Sequence, residues 1–210
     1  VAEAVPEAAR LVRPGHANRY DPHVWMNPVL WAHVLGAIEA ALAAARPEAA
    51  GAFAANAGAY RAALGGLADY AQTVLASVPP ERRVLLTSHD AFGYFGQAYG
   101  FEVLGIQGIS TQSEAGLQRI AELVDLLVAR RVHAVFVETS VSERNIRALI
   151  EGAGARGHEV AIGGELFSDA MGQPGTYEGT YLGMIDHNVT TIARALGGQA
   201  PARGMQGLLA

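Results

Sequence analysis

Apolar positions change rhythm along this chain: they recur at helical spacing in the first third, then gather into short unbroken runs past residue 80. Leu30, Val34, Ile38, Ala41 and Leu42 form one stripe, and Asn27 before Pro28 supplies a capping side chain with proline at the first helical position. The spacing predicts a helix over 28–45, broken by Arg46-Pro47. A second helix is expected over 48–77, where Phe53, Ala57, Tyr60, Leu64, Leu67, Ala71, Val74 and Val78 recur at spacings of four and three. Thirty residues would span about 45 Å. Gly58, Gly65 and Gly66 weaken such a helix by up to about 1 kcal/mol each relative to alanine, so packing against another layer must hold it. It suits a strut between two lobes.

From residue 80 the pattern becomes a βα alternation. Runs at 84–88, 101–106, 133–138 and 158–163 read as strands, and helices are expected over 91–99, 114–130, 142–154 and 178–196. The last carries Tyr181, Ile185, Val189, Ile192 and Leu196 on its apolar side. Four strands alternating with helices predict an α/β fold with a parallel four-stranded sheet covered on both faces. Residues 1–20 are polar and turn-like, and the Gly/Pro/Ala-rich stretch 198–210 is expected to be a flexible tail.

Composition narrows the partners. The chain has 210 residues, 50% hydrophobic and 17% charged, enough for a sizeable core. Net charge is −5 with no basic run, so nucleic acid is not the partner. Zero cysteines exclude disulfides and thiolate metal sites. No run of 18 apolar residues stands out as a membrane span, and the opening Val1-Ala2-Glu3 is no signal peptide, as in a processed exported protein or a truncated one.

His89 falls at the junction of the first strand and its helix, at the strand end where α/β sheets place ligands. Alone, a histidine there is as readily a cap or a solvated residue. Two further strands, however, also end in metal-competent residues: Glu138 closes the third and Asp169 follows the fourth. Parallel topology brings all three to one rim, and His23 can face it from a neighbouring lobe. Imidazole with carboxylate suits Zn²⁺, Mn²⁺ or Fe²⁺. His133 opens a strand at the opposite end of the sheet and is read as structural, as are His16, His33, His158 and His187, the last with a polar helix side able to support the site. Ser110 and Ser113 read as helix caps. No glycine run fits a phosphate loop, and Ser88-His89-Asp90 cannot form a relay from adjacent residues. Asn188-Val189-Thr190 matches a glycosylation acceptor but lies inside an expected helix.

Asp21-Pro22-His23-Val24-Trp25, Ser88-His89-Asp90-Ala91-Phe92-Gly93-Tyr94-Phe95, Gly108-Ile109-Ser110-Thr111, Ser113-Glu114-Ala115-Gly116, Val135-Phe136-Val137-Glu138-Thr139 and Gly164-Glu165-Leu166-Phe167-Ser168-Asp169 together resemble the metal-binding receptors of manganese and zinc ABC importers, the zinc-uptake/TroA-like or lipoprotein-adhesin family. The resemblance implies two α/β lobes joined by one long helix, with the ion between them. It divides the chain into a remnant of the first lobe (1–47), the linking helix (48–78), the metal-binding lobe (79–197) and the tail (198–210). It implies His23, His89 and Asp169 as ligands of Mn²⁺ or Zn²⁺, Glu138 as a neighbour of the site, a membrane permease as partner, a monomer, and a place in the periplasm or on a lipid anchor outside the cytoplasmic membrane. The family carries about a hundred further residues and another histidine ligand before the Asp-Pro-His motif, so the chain reads as a fragment or a truncated product.

The expected role is capture, not catalysis, because histidines and a carboxylate would fill the coordination shell. The alternatives are a metal-dependent hydrolase with an open site on the same rim, using Glu138 as acid/base, and a metal-free interaction domain.

Overall fold

The computed structural model describes residues 2–12, 19–109 and 116–210. Helix α1 (Pro28–Ala45) starts where the sequence predicts, with the Asn27 side chain accepting from the Val29 N–H. After a 3-10 turn at Pro47–Ala49, α2 (Ala50–Ala76) packs along it. By length and mean hydropathy (1.5), α1 is apolar enough to cross a bilayer. His33 and Glu39 interrupt its apolar run. In the fold α1 instead buries Leu30 and Val34 and leaves Val29, Ile38 and Leu42 exposed.

The second part alternates as expected: β1 (Val84–His89), α3 (Gly93–Tyr99), β2 (Glu102–Gln107), α4 (Leu117–Ala129), β3 (Ala134–Glu138), α5 (Arg144–Gly154), β4 (Ala161–Leu166) and α6 (Tyr181–Ala195). All pairing is parallel, but the expected single four-stranded sheet is divided: β1 pairs with β2 and β3 with β4. β1 and β3 lie side by side, without ladder bonds among the described residues. At the carboxyl end of that seam a side chain stands in for the ladder, the His89 N–H donating to Glu138 Oε1 at 2.8 Å.

Strand alternation sorts the core into two layers. Leu85, Ala134 and Phe136 face a cluster built with α2, α3 and α6, whereas Val84, Leu86, Val135 and Val137 face one built with α4 and α5. Both faces are covered, so β1 and β3 are buried along their whole length. Val5, Val24, Met26, Leu30 and Val34 join the first cluster, so the segment leading into α1 shares the core beneath the sheet.

The fourth strand starts later than its expected 158. Gly157, at φ +76°, and His158 close α5 instead, with the His158 N–H donating to Ala153 O. Gly163 and Gly164 sit inside the strand rather than ending it, as a one-residue bulge opposite Val135 and Phe136. Gly164, at φ +154°, brings the backbone against Thr191 of α6, where a Cβ would collide.

Residues 198–210 lie against α6 and the segment before it. Met205 N–H donates to both oxygens of buried Asp186 (3.0 and 2.9 Å), Ala210 N–H donates to Glu178 Oε1, and Leu209 is buried. An internal carboxylate needs donors, and the tail supplies one beside the Tyr177 hydroxyl and Thr190 Oγ1. The expected caps at Ser110 and Ser113, and His16, lie outside the described residues.

Candidate metal centre

His89 is the last residue of β1 and Glu138 the last of β3, so strand register alone puts them together. His89 is fully buried, and its Nδ1 lies 2.6 Å from Glu138 Oε2, close but bent away from hydrogen-bond geometry. Glu138 thus turns one oxygen to the His89 backbone and the other to its ring.

His23 arrives from the turn before α1. Asp21 Oδ1 accepts from its backbone N–H at 2.9 Å and lies 2.6 Å from its Nδ1. Tyr94 of α3 donates its hydroxyl to Asp21 O, and Trp25 Nε1 donates to Ser168 O, fastening this turn to α3 and to the loop after β4. Tyr181 of α6 donates to Trp25 O at 2.8 Å.

Asp169 lies three residues past β4, and its side chain is 39% exposed. Asn188 of α6 clamps the loop from behind, accepting from the Phe167 N–H (2.9 Å) and donating to Phe167 O (2.7 Å). Asp169 Oδ1 then stands 3.5 Å from His23 Nε2, and Oδ2 stands 3.5 Å from His89 Nε2. One donor atom from each of the three residues lies within 4.8 Å of the others, and the two imidazoles sit 5.5 Å apart at 71°. The structure therefore brings together the three residues the sequence singled out.

An imidazole whose Nδ1 proton faces a carboxylate presents Nε2 as a bare lone pair. His23 is so oriented by Asp21, His89 Nδ1 lies against Glu138 Oε2 without a hydrogen bond, and both Nε2 atoms face Asp169. His89 Nε2 is buried without a hydrogen-bond partner among the described residues, an arrangement that a cation at this point would satisfy. Burial pulls the His89 pKa down, but the Glu138 contact, its charge, and those of Asp169 and Asp90 outweigh it and leave the value raised. Asp90 is pushed up by burial first and by the Asp21 charge second, against His23, His89 and Arg119.

His187 does not reach the site; its Nε2 meets Glu165 O at 2.9 Å and its ring packs on Phe167. His33 is exposed on α1, and His133 and His158 lie together at the amino end of β3. Three supporting residues were visible in the sequence only as members of a stretch, Asp21 and Trp25 in the motif around His23 and Asn188 on the polar side of the last helix, without their individual bonds. A carboxylate two residues before a candidate ligand was the available signal for Asp21. For Asn188 the signal was the polar side of the last helix, but its partner, 21 residues away, was not readable.

A family model described as the periplasmic zinc-uptake complex component A matches residues 2–195. The manganese-binding lipoprotein MntA of Bacillus subtilis is 50% identical over 93% of this chain and 64% of its own length. The zinc-binding protein TroA of Treponema pallidum is 46% identical over 93% of this chain and 63% of its own. The chain thus spans just under two thirds of these relatives. The solved structure of the Treponema pallidum protein superposes with a TM-score of 0.89, covering 93% of this chain and 70% of that one. A match over almost the whole described length, joined to this geometry, means that the chain belongs to the family of periplasmic zinc-uptake component A.

Proposed function

We propose that His23, His89 and Asp169 hold a divalent transition-metal ion as cargo, and that the protein passes it to an ABC permease in the membrane. The observation that carries this reading is the convergence of three donor atoms within 4.8 Å from segments 66 and 80 residues apart (89 − 23 and 169 − 89). The bare lone pairs aimed inward and the unpartnered His89 Nε2 support it. Relatives named for manganese and for zinc point to Mn²⁺ or Zn²⁺, which two imidazoles and a carboxylate both suit. The names of the family and of those relatives support a periplasmic or lipid-anchored location. In this reading residues 2–47 belong to the first lobe, α2 is the linking helix and 79–197 form the second lobe, working as a monomer.

Capture suits the site better than hydrolysis. Glu138, the candidate acid/base, gives Oε1 to the His89 N–H, turns Oε2 to the His89 ring and is 2% exposed, so it faces the histidine and not solvent. Elemental analysis of purified protein dialysed against Mn²⁺ or Zn²⁺ tests the reading. One Mn²⁺ per chain, or at least one Zn²⁺, is expected, with loss of one ion per chain in His89→Ala. Absence of a stoichiometric ion, or unchanged affinity in the variant, would overturn it.

A further inference from the structure

At the opposite end of the sheet from the candidate centre, a second pair of histidines is held in a similar arrangement. The rings of His133 and His158 lie 5.0 Å apart at 46°, against 5.5 Å and 71° for His23 and His89. The sequence reads both as structural, His133 because it opens a strand at the opposite end of the sheet and His158 as a surface, capping or core residue. The fold brings them together: His133 precedes β3, His158 closes α5, and β3 and β4 are neighbours.

Backbone bonds hold both segments, and a side-chain bond ties the His158 ring. His133 O accepts from the Ala161 N–H at 2.9 Å, and the His158 N–H donates to Ala153 O at 3.0 Å after the left-handed turn at Gly157. His158 Nε2 lies 2.8 Å from Val132 O. A carbonyl only accepts, so Nε2 carries the proton and Nδ1 keeps a bare lone pair. An imidazole tied through one nitrogen to a backbone carbonyl is how metal-ligating histidines are usually oriented. Both rings line an open cleft of about 530 Å³ with Ile150, Val160 and the carboxylate-bearing Glu159.

We propose that His133 and His158 form a second, weaker site for a borderline divalent ion such as Zn²⁺ or Cu²⁺, completed by water. Two imidazoles without a positioned carboxylate favour those ions and not Mn²⁺, which prefers oxygen. Lacking the carboxylates that lie 2.6 Å from the Nδ1 atoms of His23 and His89, the pair binds more weakly than the candidate centre. The two sites therefore differ in selectivity as well as strength.

Titration of the metal-free protein with Zn²⁺ and with Mn²⁺, followed by calorimetry and by histidine imidazole NMR, tests this. Two Zn²⁺ equivalents are expected, the second broadening or shifting the His133 and His158 resonances, and a single Mn²⁺ equivalent. His133→Ala, which leaves the His158–Val132 bond intact, should remove the second Zn²⁺ and keep the first; His158→Ala should do the same. A single Zn²⁺ equivalent in the parent protein, or a second one that survives both substitutions, would overturn the proposal. His89→Ala, by contrast, should remove the first ion and spare the second, so the two sites stand or fall separately.

Discussion

At the scale of single residues, the candidate centre rests on two carboxylates that touch imidazoles rather than cargo. Asp21 and Glu138 each lie 2.6 Å from an Nδ1 and so turn the Nε2 lone pairs toward Asp169. The raised His89 pKa fixes the sign of the pH dependence. An imidazolium that persists above the ordinary value competes with the ion at higher pH, so affinity falls as pH drops through that raised value. Glu138→Gln removes the charge that holds the value up. Competition titrations against a chelator across pH should show affinity at neutral pH falling by about 10–100-fold and the pH midpoint moving down. A purely structural role would leave the midpoint where it was. His89 and Asp169 were legible in the sequence because each closes or follows a strand, whereas His23 was legible only as a residue able to face their rim and as part of the Asp21–Trp25 motif. Their partners were less so: the role of Glu138 as a neighbour came from family resemblance, and Asp21 was visible only as part of a motif.

At the scale of elements, strand and helix order follows directly from the apolar pattern, and the departures have local causes. Gly163 and Gly164 look like a strand terminator but are accommodated as a bulge against α6, so β4 runs on to Leu166, three residues before Asp169. Residues 198–210 look like a fraying tail because their own composition offers no core, yet a buried carboxylate on α6 draws their backbone in. Neither partner is close in sequence, so neither effect was readable from a window. Helix α6 serves as the backing plate of the metal loop through Asn188. Asn188→Ala leaves both backbone groups of Phe167 without their side-chain partner. Urea unfolding should register a loss of about 1–3 kcal/mol, and metal affinity should fall with it as the Asp169 loop loosens. Unchanged stability and affinity would show that the clamp is incidental.

At the scale of the whole molecule, one parallel topology organises both ends. Strand carboxyl ends gather His89, Glu138 and the Asp169 loop, while the amino ends gather His133, His158 and three arginines. Parallel pairing was inferable from the βα alternation, which is why residues scattered over the chain could be assigned to one rim. The division of the sheet at the β1–β3 seam was not, because ladder registry between buried strands leaves no trace in their apolar runs. Joining His23 to that rim also required knowing that the turn before α1 packs on α3 and α6, through Tyr94 and Tyr181. The central claim is that these three distant side chains enclose one ion. Anomalous diffraction at the manganese and zinc edges from metal-loaded crystals tests it directly. The account predicts one strong peak at about 2.0–2.2 Å from His23 Nε2, His89 Nε2 and an Asp169 oxygen; a peak that misses any of the three, or no peak between them, would contradict it.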